Sequence, residues 1–418
     1  MTQNFSFVEH QILGYVDDEP IDSAMLSSIA KQPDESDVHV ILFKRSDISC
    51  IIDIIHCLNH SIPFIIIDSA WPVLYQNQLI NMVTHNYNDS FEDCFFIATS
   101  GTTSLPKIVV HRISSLFISA RRSLDHQPIH SDARFIVSLS LATMGGILSL
   151  VKSLISGVVF LFTKGLWLNW IDSPGLYCFA LVPQQLQRLS DFIQEHPSYL
   201  NRIDFILTGG DFVLNSLHST VLNLMLPVVY SYGSTETCGQ VSGTNLHSPH
   251  YSCGAPLYNV SIDSIDDQLW IQSDTNALGY FTNDQFSSLP LHNDGFLSND
   301  IVDIQSDSQF IILGRVDFLF QSGSYLINPF VIERCILNHD LIQYACVIPV
   351  ADDRLGMIPL AFFDSNLDED VLVDFCSNEL PDYMVPKKWL PWPTSIAFDQ
   401  ASFRRLLMDY YADLIINQ

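Results

Sequence analysis

Short apolar runs alternate with amphipathic stretches along the first half of the chain. Residues 38–43 and 62–68 are apolar runs of strand length, and residues 47–58 between them have the spacing of a buried helix. Strand, helix and strand in this order predict a βαβ unit with parallel strands. The alternation continues with predicted strands at 95–98, 135–139, 158–162, 179–182, 203–210 and 228–233 and predicted helices at 114–125 and 184–194.

The pattern changes at residue 252. Shorter strands separated by Asp and Ser turns indicate a β-rich subdomain that ends near residue 314. The rest of the chain predicts a helix at 328–337 and strands at 345–349 and 360–363. We therefore predict an α/β protein in two domains. Residues 1–314 form a large N-terminal domain of mixed and parallel sheets with flanking helices and the β-rich subdomain, and residues 315–418 form a small, mobile C-terminal α+β lid domain.

Composition limits the partners and the location. The chain has 418 residues and a formal net charge of -27, which argues against nucleic acid or an anionic membrane surface as the main partner. Nine scattered cysteines without a CxxC pair, and an N-terminus without a signal-like segment, favour the reducing cytoplasm. The longest apolar stretch, residues 144–162, contains Lys152 and reads as a buried helix and strand, so we predict no membrane span. The oligomeric state stays open.

Residues 99–107, TSGTTSLPK, carry the most informative chemistry. Five hydroxyl side chains, a glycine and a lysine follow an apolar strand, and these groups supply the donors that a polyphosphate needs. The segment is not a Walker A loop, because Pro106 precedes Lys107 and no second glycine is present. An ordinary polar turn between two strands is the local alternative. The predicted strands 203–210 and 228–233 also end in glycine or tyrosine, so we expect the three strand ends to share a pocket.

Three segments together resemble the adenylate-forming acyl/aryl-CoA synthetase and nonribosomal-peptide adenylation superfamily. TSGTTSLPK resembles its TSGTTGxPK signature, with Ser104 at the second glycine, and SYGSTET, residues 231–237, resembles its YGxTE signature. GRVDFLFQSGSYLINPFVIE, residues 314–333, resembles its GRxDDxIKxxGxRIxPxEIE, with Ser324 at the inner glycine. The resemblance covers residues 38–408 in the family's order.

The resemblance implies a role for each matching residue. Tyr232 would stack on adenine, Asp300 would accept hydrogen bonds from the ribose, and Lys107 would meet the triphosphate. Glu236 and Thr103 would hold Mg²⁺, which prefers oxygen ligands. Taken singly, these residues have local readings too: a core tyrosine, an acid at a helix N-terminus and a turn aspartate. The other implied ATP and AMP contacts are Thr99, Ser100, Gly101, Thr102, Gly209, Gly210, Asp211, Gly233, Thr235 and Arg315.

The implied reaction has two halves and three small-molecule reactants, ATP, a carboxylic acid and coenzyme A. The carboxylate attacks the α-phosphate to give an acyl-adenylate and pyrophosphate, and a thiol then displaces AMP. The lid would rotate about Asp317 between the halves. Thr143, Gly145 and Gly146 would line the acid pocket, and residues 139–146 contain no carboxylate for an amino-acid substrate.

One departure from the family pattern weakens the first half reaction. Most members carry a C-terminal lysine that touches the attacking carboxylate and the α-phosphate, and this position falls on Ala401, with no lysine after Lys388. Either Arg404 or Arg405 replaces it, or adenylation is slow, or the chain is a weakened relative. A guanidinium is not equivalent to an ammonium, so we do not favour simple replacement. Gln321 and Leu326 also replace two cations of the pattern.

Within the superfamily, the chain most resembles the branch of o-succinylbenzoate-CoA ligases, which serve menaquinone and phylloquinone synthesis. The resemblance lies in the short chain and in residues 179–189. The second hypothesis is another aryl or medium-chain acyl-CoA ligase. The third is a nucleotide-binding pseudoenzyme, which the missing lysine supports. A serine hydrolase is disfavoured, because there is no GxSxG elbow and His111 reads as a polar residue at a strand end.

Overall fold

A computed structural model describes residues 12–16, 19–27, 38–44, 47–99, 107–162, 175–248, 252–282, 285–305, 308–396 and 403–416. Contacts divide the chain into two compact units. The first unit comprises residues 1–262, 271–296 and 306–309, and the second comprises residues 263–270, 297–305 and 310–418. The domain boundary that we predict after residue 314 stays a prediction.

The elements of the described residues follow in chain order. The helices are α1 Ser23–Ser27, α2 Ile48–His60, α3 Val73–Asn86, α4 Ile113–His126, α5 Met144–Ser156, α6 Pro183–Glu195, α7 Asn215–Asn223, α8 Pro329–Leu337, α9 Glu369–Glu379 and α10 Phe403–Ile416. The strands up to the β-rich region are β1 Ile12–Val16, β2 Glu19–Asp22, β3 His39–Phe43, β4 Phe64–Asp68, β5 Cys94–Thr99, β6 Lys107–Arg112, β7 Ala133–Val137, β8 Val159–Phe162, β9 Leu176–Leu181, β10 Ile203–Thr208, β11 Val228–Ser234 and β12 Gly239–Gly243. The later strands are β13 Ala255–Pro256, β14 Val260–Ile265, β15 Gln268–Ser273, β16 Gly279–Thr282, β17 Gln285–Ser288, β18 Leu291–His292, β19 Gly295–Ile304, β20 Phe310–Arg315, β21 Phe320–Ser322, β22 Tyr325–Ile327, β23 Ala345–Asp352, β24 Gly356–Phe363 and β25 Lys388–Pro391.

A nine-stranded sheet forms one layer of the first unit, in the order β13-β12-β11-β10-β9-β7-β8-β1-β2. The strands from β1 to β11 in this order pair in parallel, as the alternation of apolar runs and helices predicts. Helices α6 and α7 bury Leu186, Leu189 and Leu217 against Phe179 and Ile206 of the sheet. The elements before residue 38 were not predicted, because runs of five residues give too little periodicity to recognise.

A separate six-stranded sheet contains the strand that leads into TSGTTSLPK, in the order β17-β16-β6-β5-β4-β3. Strands β3, β4 and β5 pair in parallel, whereas β5 and β6 form an antiparallel hairpin. The strand ends that we expect to share a pocket therefore divide between two sheets. Contacts between β6, β16 and the β11–β12 turn, described below, connect these sheets.

Residues 144–162 form the buried helix α5 and the strand β8, which confirms the prediction. Helix α5 begins at the cap Thr143 and ends before Gly157, whose positive φ of 73° favours glycine. Among the described residues, no helix is both long and apolar enough to cross a membrane.

The second unit has its own core around a three-stranded sheet, β23-β24-β25. Helices α8 and α9 bury Ile332, Ile336 and Leu372 against Val347 and Ala361 of that sheet. Strands β19 and β20 pair within this unit and place Asp300 opposite Arg315. The predicted helix at 328–337 and the strands at 345–349 and 360–363 are confirmed.

Candidate functional site

The hydroxyl-rich segment connects β5 to β6 in a hairpin. Thr99 pairs with Lys107 at its base, and the Thr99 hydroxyl donates to the Lys107 carbonyl at 3.5 Å. The predicted contacts Ser100, Gly101, Thr102 and Thr103, with Ser104, lie outside the described residues. The Lys107 ammonium lies 5.7 Å from the centre of the Tyr280 ring on β16, which orients the lysine by a cation–π contact.

Tyr280 connects Lys107 to the predicted metal-binding residue Glu236. The Tyr280 hydroxyl donates to Glu236 Oε1 at 3.3 Å. Burial, together with the neighbouring carboxylate, raises the pKa of Tyr280 above its ordinary value, so the hydroxyl stays protonated and remains a donor. The sequence-based reasoning missed Tyr280, although the Gly-Tyr step at 279–280 was visible as part of a β strand.

The glycine pair after β10 lies beside β11. A Cβ added at Gly209 would lie 2.6 Å from the Ser231 carbonyl oxygen, so only glycine lets the two strands approach this closely. Gly210 has a φ of 86°, the left-handed region that favours glycine, and Asp211 follows it with an exposed side chain. Tyr232, the predicted adenine-stacking residue, is half-buried in β11, one residue beyond Ser231. The ends of β10 and β11 thus lie side by side, and the shared pocket of Gly209, Gly210, Asp211 and Tyr232 stays a prediction.

The residues 235–238 form the turn between β11 and β12, which we call the Glu236 turn. It contains the predicted nucleotide contact Thr235, and Gly233 lies just before it in β11. The His111 Nε2 atom lies 2.7 Å from the Thr235 carbonyl oxygen. His111 is the penultimate residue of β6, which agrees with its reading as a polar residue at a strand end, and its side chain is fully buried.

The predicted acid-pocket residues surround the start of α5. Thr143 Oγ1 donates to the Ser140 carbonyl at 2.7 Å and accepts from the Gly146 amide at 3.3 Å, so its hydroxyl caps the helix. A side chain at Gly146 would collide with the Ser140 carbonyl, and Gly145 is exposed.

An acidic side chain lies at this segment although residues 139–146 contain none. Ser140 Oγ donates to Asp68 Oδ2 at 2.6 Å, and Asp68 is the last residue of β4. Sequence reasoning missed Asp68 because 72 residues separate it from Ser140. Residues 139–146 thus contribute no carboxylate of their own, and Asp68 brings one beside them from β4.

In the second unit, Arg315 joins two predicted site residues. Its Nη1 atom donates to Asp300 Oδ1 at 3.1 Å, and its Nε and Nη2 atoms donate to the two carboxylate oxygens of Asp317 at 3.0 Å each. This paired geometry suits the planar guanidinium and holds Asp300 beside the predicted hinge residue Asp317. Asp317 lies in the short 3-10 turn Val316–Phe318.

The contacts of Arg404 within the second unit show that this side chain is structural. Arg404 is buried, forms an ion pair with Glu333 at 2.8 Å and donates to the Val347 carbonyl at 2.5 Å. Its guanidinium lies 4.9 Å from the ring centres of both Phe318 and Phe330. Arg404 is thus committed to the core of this unit and does not replace the missing lysine. Ala401 lies outside the described residues, and Arg405 is exposed.

The described residues hold no cluster of three or more His, Cys, Asp or Glu side chains that could bind a metal ion by themselves. All nine cysteines are buried, and they are thiols outside any disulfide. The half-buried carboxylate of Glu236, in contact with the Tyr280 hydroxyl, suits a Mg²⁺ ion that takes most of its ligands from substrate phosphates and water.

Parallel strands that end in a glycine pair, a lysine beside a hydroxyl-rich hairpin and a lone carboxylate define an α/β protein of the nucleotide-binding class. The family model "AMP-binding enzyme" matches residues 24–281, and "AMP-binding enzyme C-terminal domain" matches residues 331–393. The chain belongs to the AMP-binding enzyme family.

Two curated proteins that are similar in sequence to this chain carry the same name. The 2-succinylbenzoate–CoA ligase of Haemophilus influenzae is 26% identical over 348 residues, which cover 81% of this chain and 76% of the relative. The enzyme of the same name from Bacillus licheniformis is 29% identical over 311 residues, which cover 69% of this chain but 64% of the relative.

Solved structures share the fold. A variant of E. coli MenE with bound OSB-AMS superposes with a TM-score of 0.79 at 21% identity, covering 96% of this chain and 95% of that one. The o-succinylbenzoate coenzyme A synthetase (MenE) of Bacillus subtilis, in complex with ATP and magnesium ion, superposes with a TM-score of 0.77 at 20% identity, covering 90% and 92%.

Proposed function

We propose that this chain is an AMP-forming acid–thiol ligase whose acid is o-succinylbenzoate and whose thiol is coenzyme A. The contact chain from Lys107 through Tyr280 to Glu236 carries the proposal, because it joins an ammonium and a carboxylate beside the hydroxyl-rich hairpin. The names of the two curated relatives support the choice of acid. We also propose that the enzyme acts in menaquinone or phylloquinone synthesis and that it does so in the cytoplasm.

The residues have distinct proposed tasks in the first half reaction. A carboxylate oxygen of the acid attacks the α-phosphorus of ATP, the bond to the β-phosphate oxygen breaks, and pyrophosphate leaves. Two anions approach each other in this step, so cationic groups must offset their repulsion. Lys107 supplies one such charge, and the Tyr280 ring limits the directions in which its ammonium can point.

The proposed site suits a magnesium ion, which would neutralise phosphate charge when bound. Glu236 and Thr103 would hold it, with the carboxylate of Glu236 oriented by the Tyr280 hydroxyl. Tyr232, Gly209, Gly210 and Asp211 would form the adenine side of the site. Asp300 and Arg315 would bind the ribose and support the nucleotide.

The second half reaction replaces AMP by the thiol of coenzyme A. The thiol sulfur attacks the acyl carbon, the bond to the AMP oxygen breaks, and the thiol proton passes to solvent. We assign Asp317 as the hinge for the lid movement between the halves, with residues 1–314 and 315–418 as the two domains. Thr143, Gly145 and Gly146 are the proposed acid pocket.

The test measures pyrophosphate release from ATP with o-succinylbenzoate, benzoate and octanoate. We expect release with o-succinylbenzoate above both other acids, and a coenzyme A thioester of the same acid by mass spectrometry. Release only with benzoate or octanoate would instead support another aryl or medium-chain ligase. In Lys107→Ala the release should fall by about a hundredfold or more, while Lys387→Ala, an exposed lysine of the second unit, serves as the control.

The second candidate is a nucleotide-binding pseudoenzyme. One observation favours it. Arg404 is committed to Glu333 and Val347, so this arginine does not substitute for the missing C-terminal lysine. It predicts ATP binding without pyrophosphate release for any acid of the panel. Calorimetric binding of ATP beside the release assay separates the two candidates.

A further inference from the structure

The backbone of the Glu236 turn is held at every residue. Each of the four consecutive carbonyl oxygens of residues 235–238 accepts a hydrogen bond from a group outside the turn. The donors are His111 Nε2 to Thr235 at 2.7 Å, the Ala277 amide to Glu236 at 2.7 Å, Thr275 Oγ1 to Thr237 at 2.9 Å, and Ser119 Oγ to Cys238 at 2.7 Å. A two-strand hairpin needs none of these bonds to form, so they fix the turn in place rather than create it.

The donors come from parts of the chain that are distant in sequence. His111 lies in β6, Ser119 in α4, and Thr275 and Ala277 between β15 and β16. Strands β6 and β16 belong to the six-stranded sheet, whereas the Glu236 turn joins two strands of the nine-stranded sheet. The four bonds therefore fix the backbone that carries Glu236 relative to β6, which begins at Lys107.

A buried cation supports the Thr275 donor. Arg122 forms an ion pair with Asp274 and donates to Thr275 Oγ1 at 3.3 Å. Because the Thr275 oxygen accepts from Arg122, its own hydrogen points to the Thr237 carbonyl. Arg122 and Thr275 are both buried, so the hydrogen bond between them is shielded from water.

His111 is the donor with the most restricted chemistry. A carbonyl oxygen only accepts, so the proton of the neutral ring must be on Nε2. The ring is stacked on Phe95 of β5, with 5.3 Å between the centres, and its Nδ1 atom is buried with no hydrogen-bond partner among the described residues. A second proton on Nδ1 would give the ring a buried charge with no acceptor for that N–H among the described residues.

We propose that His111 is a positioning residue for Glu236, acting as a neutral Nε2–H donor that locks the Glu236 turn against β6. The inference rests on the proposed function in one respect, that Glu236 is the carboxylate that meets the magnesium–ATP complex. His111 itself touches no substrate. Its effect is to keep the Glu236 carboxylate in the orientation that the Tyr280 hydroxyl also supports.

The test compares three variants by calorimetric titration with ATP, once with magnesium and once with EDTA. His111→Phe keeps the ring stacking but removes the donor to the Thr235 carbonyl, and it should weaken magnesium–ATP binding by about tenfold or more, the size of effect that outer-shell partners have on metal affinity. Binding of ATP in EDTA should change much less. His111→Gln, which keeps an N–H donor, should recover most of the affinity for magnesium–ATP.

A matched pair of serines covers the case in which His111→Phe does not fold. Ser119→Ala removes the donor to Cys238, whereas Ser190→Ala removes an equally buried hydroxyl that donates to the Leu186 carbonyl within α6. We expect weaker magnesium–ATP binding only in Ser119→Ala.

Three results would overturn the inference. They are wild-type affinity in a folded His111→Phe, a His111→Gln variant as weak as His111→Phe, or serine variants that cannot be distinguished. An ATP affinity of the wild type that does not depend on magnesium would also overturn it. Absence of pyrophosphate release with every acid would refute the proposed function alone, because the titrations need no turnover.

Discussion

At the scale of single residues, two buried basic side chains have opposite environments. Arg404 is paired with Glu333 and lies between two aromatic rings, so its charge is compensated. His111 has a carbonyl partner at Nε2 and none at Nδ1 among the described residues, so only its neutral form fits. Both are basic side chains near a family motif. Arg404 stabilises the core of its unit, whereas we propose that His111 positions Glu236.

Replacing Arg404 by Gln should destabilise the second unit by about 3–5 kcal/mol, because Glu333 would be left as a buried carboxylate without its cation. Burial already raises the pKa of Glu333, and Arg404 opposes that rise. Native-state hydrogen exchange of β23, where the Val347 amide donates to Glu333, measures the change. Arg405→Gln, at an exposed position, should change the opening free energy by less than about 0.5 kcal/mol. Unchanged exchange in Arg404→Gln, together with lost pyrophosphate release, would restore Arg404 as a substitute for the lysine.

His111 should make the protein less stable in acid. Burial lowers its pKa to about 4 from an ordinary 6.5, so between pH 6.5 and 4 the unfolded chain binds a proton that the folded chain does not. The free energy of unfolding therefore falls as the pH falls through this window. Between pH 7.5 and pH 5 the wild type should lose about 2 kcal/mol more than His111→Gln, as measured by urea unfolding. Equal losses in the two proteins would show that the ring is accessible to protons.

At the scale of elements, glycines decide how closely strands and turns approach. Gly209 lets β10 lie beside the Ser231 carbonyl, and Gly323 makes the two-residue turn of the β21–β22 hairpin with a φ of 57°. The family pattern places its inner glycine one residue later, at the position that Ser324 occupies in this chain. The turn survives because a glycine at its first position provides the positive φ that a tight hairpin needs.

The glycine pair after β10 offers a matched comparison. Gly209→Ala places a methyl group 2.6 Å from the Ser231 carbonyl oxygen and should push the ends of β10 and β11 apart, with AMP binding weakened by about tenfold or more. Gly210→Ala meets no neighbouring atom and should cost only the strain of a positive φ, about 1 kcal/mol of stability. Calorimetric titration with AMP and thermal unfolding measure the two effects. Equal AMP affinity in both variants would remove the strand end from the proposed nucleotide site.

At the scale of the whole molecule, positive charge is scarce and part of it is committed to ion pairs. The formal net charge is -27 with 19 Lys and Arg residues. Among the described residues, Arg112, Arg122, Arg315 and Arg404 each form an ion pair with a carboxylate. An ATP site built on this chain therefore depends strongly on Lys107 and on added magnesium. We expect this shortage to slow the first half reaction, in which two anions meet.

Ala401→Lys restores the lysine of the family pattern. We expect pyrophosphate release with o-succinylbenzoate to rise by about tenfold or more, because the new ammonium offsets the repulsion between the acid and the α-phosphate. Thioester formation from supplied acyl-adenylate should change much less, since no second anion attacks in that step. Rates of both half reactions, measured separately, test the expectation. A variant that gains nothing in the first step would show that the chain compensates for the lysine elsewhere.

The sequence by itself determined the order of the elements and the family. Apolar runs and helical spacing are local, so the strands β3, β4, β5 and β7 to β11, the helices α2, α4, α5 and α6, and the second unit's α8, β23 and β24 were predictable. The motifs around Lys107, Glu236 and Arg315 were also local, because each is one continuous segment.

Only the tertiary structure decided which residues meet across those segments. It divided the strand ends between two sheets, placed Asp68 beside Ser140 and Tyr280 between Lys107 and Glu236, and committed Arg404 to Glu333. It also brought His111 to Thr235, which lies 124 residues further along the chain. Such contacts join residues far apart in sequence, and no local pattern encodes them, because they arise only when separate sheets and helices pack against one another.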